Sequence, residues 1–212
     1  MGGTLFIIYY WKAVMNTSHI ILAIAWIIYC ILHSVLASTE VKLRIRNMMG
    51  DKFRYYRFGY TLFSFAGLLA ILIFQVSIPS PLVFIGGQTV LITGSVLAAI
   101  GAAMVLLNII KYFVQLSGVR WLVSSTVESR LERDGLHRYV RHPLYFSTFL
   151  FIWSLWLVYP FLSLLMANVV ITVYTLVALR FEEKKLLIEF GEEYRKYQEQ
   201  VPMIIPRIMK WG

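Results

Sequence analysis

HPLYFSTFLFIWSLWLVYPFLSLLMANVVITVYTLVALRFEE, residues 142–183, opens on a histidine and a proline and closes on an arginine and two glutamates. Between these ends the side chains are apolar, hydroxyl or amide, and Pro160 divides them into the runs 143–159 and 161–179. Each run approaches the roughly 20 residues that carry a helix across a bilayer. With only Pro160 between them, the two are expected to form a tight helical hairpin at the far end of two spans.

Working outward, three more apolar runs qualify as spans, at about 18–37, 56–76 and 82–107. The run Thr4 to Trp11 is too short to cross and is expected to approach the interface. The 212 residues are 59% hydrophobic and 15% charged, whereas a soluble domain has about a quarter of its residues charged. The expectation is a single all-α integral membrane domain, 1–212, with five transmembrane helices. After the fifth, an amphipathic helix over about 180–201 is expected on the cytoplasmic side. Its apolar stripe is Leu187, Phe190, Tyr194, Tyr197 and Val201, and Pro202 ends it.

A net charge of +9 would suggest nucleic acid in a soluble protein, but here it reads as topology. Only Lys12 of the 20 Lys and Arg residues falls in the N-terminal tail or in the loops after spans two and four. Lys42 through Arg57, Lys111 through Arg141 and Arg180 through Lys210 all lie on the other side, as do all eleven acidic residues. The positive-inside rule puts the N-terminus outside and the C-terminus in the cytoplasm. No nucleic-acid partner is expected. Gly87, Gly94 and Gly101, with Ala98, mark one face of span three for close helix packing.

Ionisable groups near a membrane are costly, so their positions carry information. Pro143 suits the first turn of span four, and His142 precedes it where the helix start favours an anion. Arg138 and Arg141 add positive charge. His33 and Ser34 lie in the last turn of span one, and Arg180, Glu182 and Glu183 lie where span five emerges. Three clusters at one depth predict a shared pocket at the inner interface. Four histidines are too few for di-iron histidine boxes, and HExxH, GxSxG and GxGxxG patterns are absent. The single cysteine, Cys30, lies in an apolar run, and no metal site is expected.

GLHRYVRHPLY at 135–145, followed after a hairpin by EEKKLLIEFGEEYRKYQEQVPMIIP at 182–206, resembles the isoprenylcysteine carboxyl methyltransferase and phospholipid methyltransferase superfamily. HSVLAS at 33–38, Lys42 and YRFGYTLFS at 56–64 resemble its nurim-like and methanethiol methyltransferase branch. The resemblance implies an S-adenosylmethionine-dependent methyltransferase acting on a lipophilic or small-thiol acceptor within the membrane. It implies that Tyr139, His142, Pro143, Tyr145, Glu182 and Glu183 bind the cofactor, and Arg141 or the start of span four is the candidate cationic partner for the cofactor's carboxylate. Arg180, Glu183 and His33 are the candidate catalytic residues, with His142 and the motif tyrosines as further candidate bases. Phe190, Gly191, Tyr194, Tyr197, Pro202 and Pro206 match a scaffold folded over the cofactor. Two departures stand out: Ser147 replaces a common glycine, and Gly135, Leu136, His137 stand where Gly-Pro-Tyr is frequent. A non-catalytic nurim-like scaffold is the alternative reading.

Overall fold

The computed structural model describes residues 16–116 and 131–206, and the Thr4 to Trp11 run, with Lys12, lies outside them. Among the described residues every regular element is helical. Helix α1 spans Thr17–Ala37, and the Asn16 side chain caps it by accepting from the His19 N–H at 3.2 Å. Ser38 then adopts extended backbone, ending α1, and its hydroxyl caps α2, Thr39–Met49. A three-residue turn that begins at Gly50 leads into α3, Phe53–Ser77. Helix α4 is Gln88–Leu116, α5 is Pro143–Val158, α6 is Leu162–Phe190 and α7 is Glu192–Gln200.

Four helical segments are long and apolar enough to cross a membrane: Thr17–Ala37, Phe58–Ser77, Gln88–Lys111 and Leu162–Phe190. They mark the chain as a membrane protein. Helix α5 is equally apolar but has 16 residues, about 24 Å at 1.5 Å per residue. A hydrocarbon core is about 30 Å thick, so α5, which matches the 143–159 run of the sequence to within a residue, is short for a crossing.

Two boundaries differ from the sequence reading. The third apolar run becomes helical at Gln88, not Leu82. Pro79 and Pro81 favour extended backbone just before it. Val83 donates to the Pro160 carbonyl at 2.7 Å, and Leu162 donates to that of Pro81 at 3.0 Å. Hydropathy registers the apolar side chains of this stretch and not its backbone pairing. The expected separate helix over 180–201 is instead two pieces. Glu, Lys and Leu are good helix formers, so α6 continues past Leu179 to Phe190. Gly191, at φ +53°, then breaks the axis in a conformation that favours glycine. Tyr194, Tyr197 and Val201 still meet Leu187 and Phe190 in one buried cluster.

The long helices pack in the order α3, α1, α6, α5, α4. Leu22 and Trp26 of α1 and Ala167 of α6 form the core of one half, and Trp26 Nε1 donates to Gln75 Oε1 at 3.0 Å. In the other half α4 lies close against α5. A Cβ built on Gly101 would come within 2.7 Å of the Phe151 nitrogen, and one on Gly94 within 3.0 Å of Val158. Gly87, on the same predicted stripe, meets nothing within 4 Å. Gly101→Ala should therefore lower stability by about 1–3 kcal/mol through overpacking, whereas Gly87→Ala should not. Thermal unfolding of the two variants in detergent checks the contrast.

Candidate functional site

The polar ends of α5 and α6 meet α7 and the chain beyond it. Pro143 is the first residue of α5, where its missing N–H costs nothing. The N–H groups of Arg141 and His142 donate to the carbonyls of Pro202, at 2.9 Å, and Met203, at 3.1 Å. The C-terminal segment thus covers the approach to α5, and these two donors are not open to an anion.

Glu183 is the hub. Its Oε1 accepts from Arg141 Nε at 3.0 Å, His142 Nε2 at 2.7 Å and Tyr194 OH at 2.7 Å. Its Oε2 accepts from Arg141 Nη2 at 2.8 Å and Gln198 Nε2 at 2.6 Å. Side-chain exposures of 12% for Glu183, 10% for Arg141 and 5% for His142 place the network out of solvent. Donors on every side require the acceptor-only carboxylate form. That carboxylate accepts from Nε2 of His142, which therefore carries a proton. Burial, then the hydrogen bond to Glu183, raises the Tyr194 phenol above its usual pKa and keeps it a donor. Arg141 Nη1 also donates to the carbonyls of Gln198 and Val201. The arginine therefore ties α5 to α6 and α7.

Beside this network lies a cavity of about 380 Å³. Its lining includes Asn108 from α4, Leu131, Glu132 and His137 from the connecting segment, and Arg141 to Tyr145. Glu182, Leu186 and Phe190 of α6 and Tyr194 and Tyr197 of α7 complete it. Glu182 accepts from Tyr145 OH at 3.0 Å, and its Oε1 stands 3.9 Å from His142 Nδ1. His137 donates from Nδ1 to the Arg141 carbonyl at 3.1 Å, and its own carbonyl accepts from Tyr197 OH at 2.6 Å. Burial holds the His137 pKa below its usual value, so the ring is neutral at pH 7.

The sequence-predicted residues thus divide into groups. Arg141, His142, Pro143, Tyr145 and Glu182 share the cavity lining, with Glu183 bonded behind it. Tyr139 is 59% exposed and does not line the cavity. Arg180 is exposed and makes no hydrogen bond or ion pair with any described residue. His33 contacts α3 instead: its Nδ1 lies 3.2 Å from Ser64 Oγ and 3.0 Å from Tyr60 OH. Its neighbour Ser34 donates to Tyr174 OH at 2.9 Å, which joins α1 to α6. The single pocket expected from three clusters is therefore a cavity built from two of them, with the third packed on α3. Ser147 is fully buried, and its hydroxyl donates to the Leu144 carbonyl at 2.9 Å. It stands outside the lining.

Sequence reasoning missed Asn108 and Gln198. Asn108 is buried at 4% exposure, and its Nδ2 donates to the Met104 carbonyl at 2.8 Å. An amide inside an apolar helix is itself a signal for a pocket-facing residue. Nothing in the local sequence distinguishes Gln198 from the other polar residues of α7.

Residues 1–201 match the family described as Protein of unknown function (DUF1295). The methanethiol S-methyltransferase of Crocosphaera subtropica is 41% identical over 83 residues, 38% of this chain and 31% of the relative. That of Pseudomonas deceptionensis is 29% identical over 117 residues, 52% of this chain and 43% of the relative. The protein-S-isoprenylcysteine O-methyltransferase of Schizosaccharomyces pombe is 37% identical over 81 residues, 37% of this chain and 34% of the relative. The matched segments span less than half the length of each of these relatives. These relatives fit the superfamily that the two motifs resemble, and the chain belongs to the DUF1295 family.

Proposed function

We propose that this protein is an integral-membrane methyltransferase that takes a methyl group from S-adenosylmethionine and delivers it to a small thiol or lipophilic acceptor. The observation that carries the reading is the cavity with the Glu182 carboxylate in its wall and the cation of Arg141 already neutralised by Glu183. S-Adenosylmethionine, when bound, supplies an activated methyl group on a sulfonium cation. The residues fit such a group. Glu182 offers the opposing charge, and Tyr145, Phe190, Tyr194 and Tyr197 offer aromatic rings that attract cations. The volume falls in the range of small-molecule pockets.

The remaining chemistry is alignment and exclusion of water. The Arg141–Glu183 pair and the carbonyls of Pro202 and Met203 hold the α5 start against α6 and α7, which keeps the wall in place. A thiol acceptor must lose a proton, and the two lining imidazoles, His137 and His142, are the candidate groups to take it. Arg141 is committed to Glu183 and to two carbonyls.

The basic helix ends face the cytoplasm and the N-terminus lies outside, with α5 completing a fifth crossing where the bilayer thins around it. Helix α7 lies on the cytoplasmic face. Titration of the detergent-solubilised protein with S-adenosylhomocysteine should show binding. Labelled methyl groups should then appear on one of a panel of small thiols, prenylcysteine and phosphatidylethanolamine. No binding at millimolar ligand would overturn the proposal in favour of a non-catalytic scaffold.

A further inference from the structure

A second concavity, of about 290 Å³, lies between the end of α1, α2 and the start of α3. Leu36, Met49, Tyr55, Gly59, Tyr60 and Phe63 line it, and none of them lines the cavity described above. The tyrosine hydroxyls have other partners: that of Tyr60 is bonded to His33, and that of Tyr55 accepts from Arg54 Nη2 at 2.9 Å. What remains for a ligand is hydrocarbon and ring surface. A Cβ built on Gly59 meets nothing within 4 Å, so the space above that glycine is open.

The rim has the opposite character. The Arg54 guanidinium sits over the Tyr55 ring, 4.8 Å from its centroid. Arg54 is exposed and pairs with no carboxylate among the described residues. Arg46, also exposed, stands one turn before Met49 on α2 and so shares its side of the helix. Between residues 39 and 54 the sequence carries five cations, Lys42, Arg44, Arg46, Lys52 and Arg54, and two carboxylates, Glu40 and Asp51. Because α1 and α3 are long enough to cross a bilayer, their ends place this groove where acyl chains meet headgroups.

We infer that the groove is a binding site for an anionic phospholipid, with one acyl chain over Gly59 and the phosphate on Arg54 and Arg46. An apolar trough with Arg54 and Arg46 at its mouth complements an amphiphile of that charge, and basic residues near such a surface each contribute about 1 kcal/mol. Free phosphate would leave the trough uncovered, and a zwitterionic lipid would leave the cations without a net counter-charge.

Native mass spectrometry of the full chain from detergent, with phosphatidylglycerol or phosphatidylcholine of the same acyl chains, tests the inference. Phosphatidylglycerol should be retained at least tenfold better. Gly59→Leu should remove that retention by filling the trough. Leucine is the better helix former, so the unfolding temperature without lipid should not fall. Arg54→Gln, at an exposed position, should bring phosphatidylglycerol down to the level of phosphatidylcholine, and it carries the test alone if Gly59→Leu does not fold. Equal retention of the two lipids would overturn the inference. So would retention unchanged in Arg54→Gln, or a dimer mass that Gly59→Leu abolishes, which would seat a second copy in the groove.

Discussion

Glu183→Ala is expected to lower stability by about 3–5 kcal/mol, the cost of leaving a buried ion-pair partner uncompensated, and to abolish binding of S-adenosylhomocysteine. The carboxylate accepts five hydrogen bonds, and its removal strands the guanidinium of Arg141, the phenol of Tyr194 and the amide of Gln198 together. Those groups come from the segment that leads into α5 and from α7, and Glu183 itself sits on α6, so losing one acceptor loosens the junction of the three. Glu183→Gln keeps the shape but presents an amide N–H to other donors, so it should fall between the parent and Glu183→Ala. Thermal unfolding in detergent, read with a binding titration, separates the effects. Parent-like unfolding of Glu183→Ala would show that the network does not hold the site.

Glu182→Gln is expected to act on recognition instead. Its side chain is 42% exposed and bonded to Tyr145, so its loss leaves no buried cation unpaired. A cationic ligand such as sinefungin, which carries an amine in place of the sulfonium, should weaken about tenfold, or about 1.4 kcal/mol. Neutral S-adenosylhomocysteine should change far less, because it lacks the charge that Glu182 opposes. Calorimetric titration with both ligands measures the ratio. Equal weakening of the two would place the sulfonium away from Glu182.

These expectations rest on a division of labour between two adjacent glutamates that the sequence pairs without distinction. Successive residues on a helix point about 100° apart. One of the pair therefore faces the cavity while the other turns into the α5 and α7 contact. Which does which depends on the rotation of α6 against its neighbours. The same holds for His33. Its depth in α1 was legible, but depth along an axis does not specify the side on which a residue lies. In the fold it meets Tyr60 and Ser64 of α3. Gly101 and Gly87 make the point for packing. Seven-residue spacing places them on one stripe, yet only Gly101 lies where α5 crosses.

By itself the sequence determined the helical class, the apolar runs, the level of the polar clusters and the two motifs that become the cavity wall. These are local properties: apolarity over about 20 residues, charge at helix ends, and proline or glycine at a break. The tertiary structure decided the packing order of the helices. It also decided that α6 continues to Phe190 and that Glu183 collects Arg141, His142, Tyr194 and Gln198. The physical reason is that a buried carboxylate draws its donors from segments far apart in the chain, and no local pattern encodes which of them will arrive.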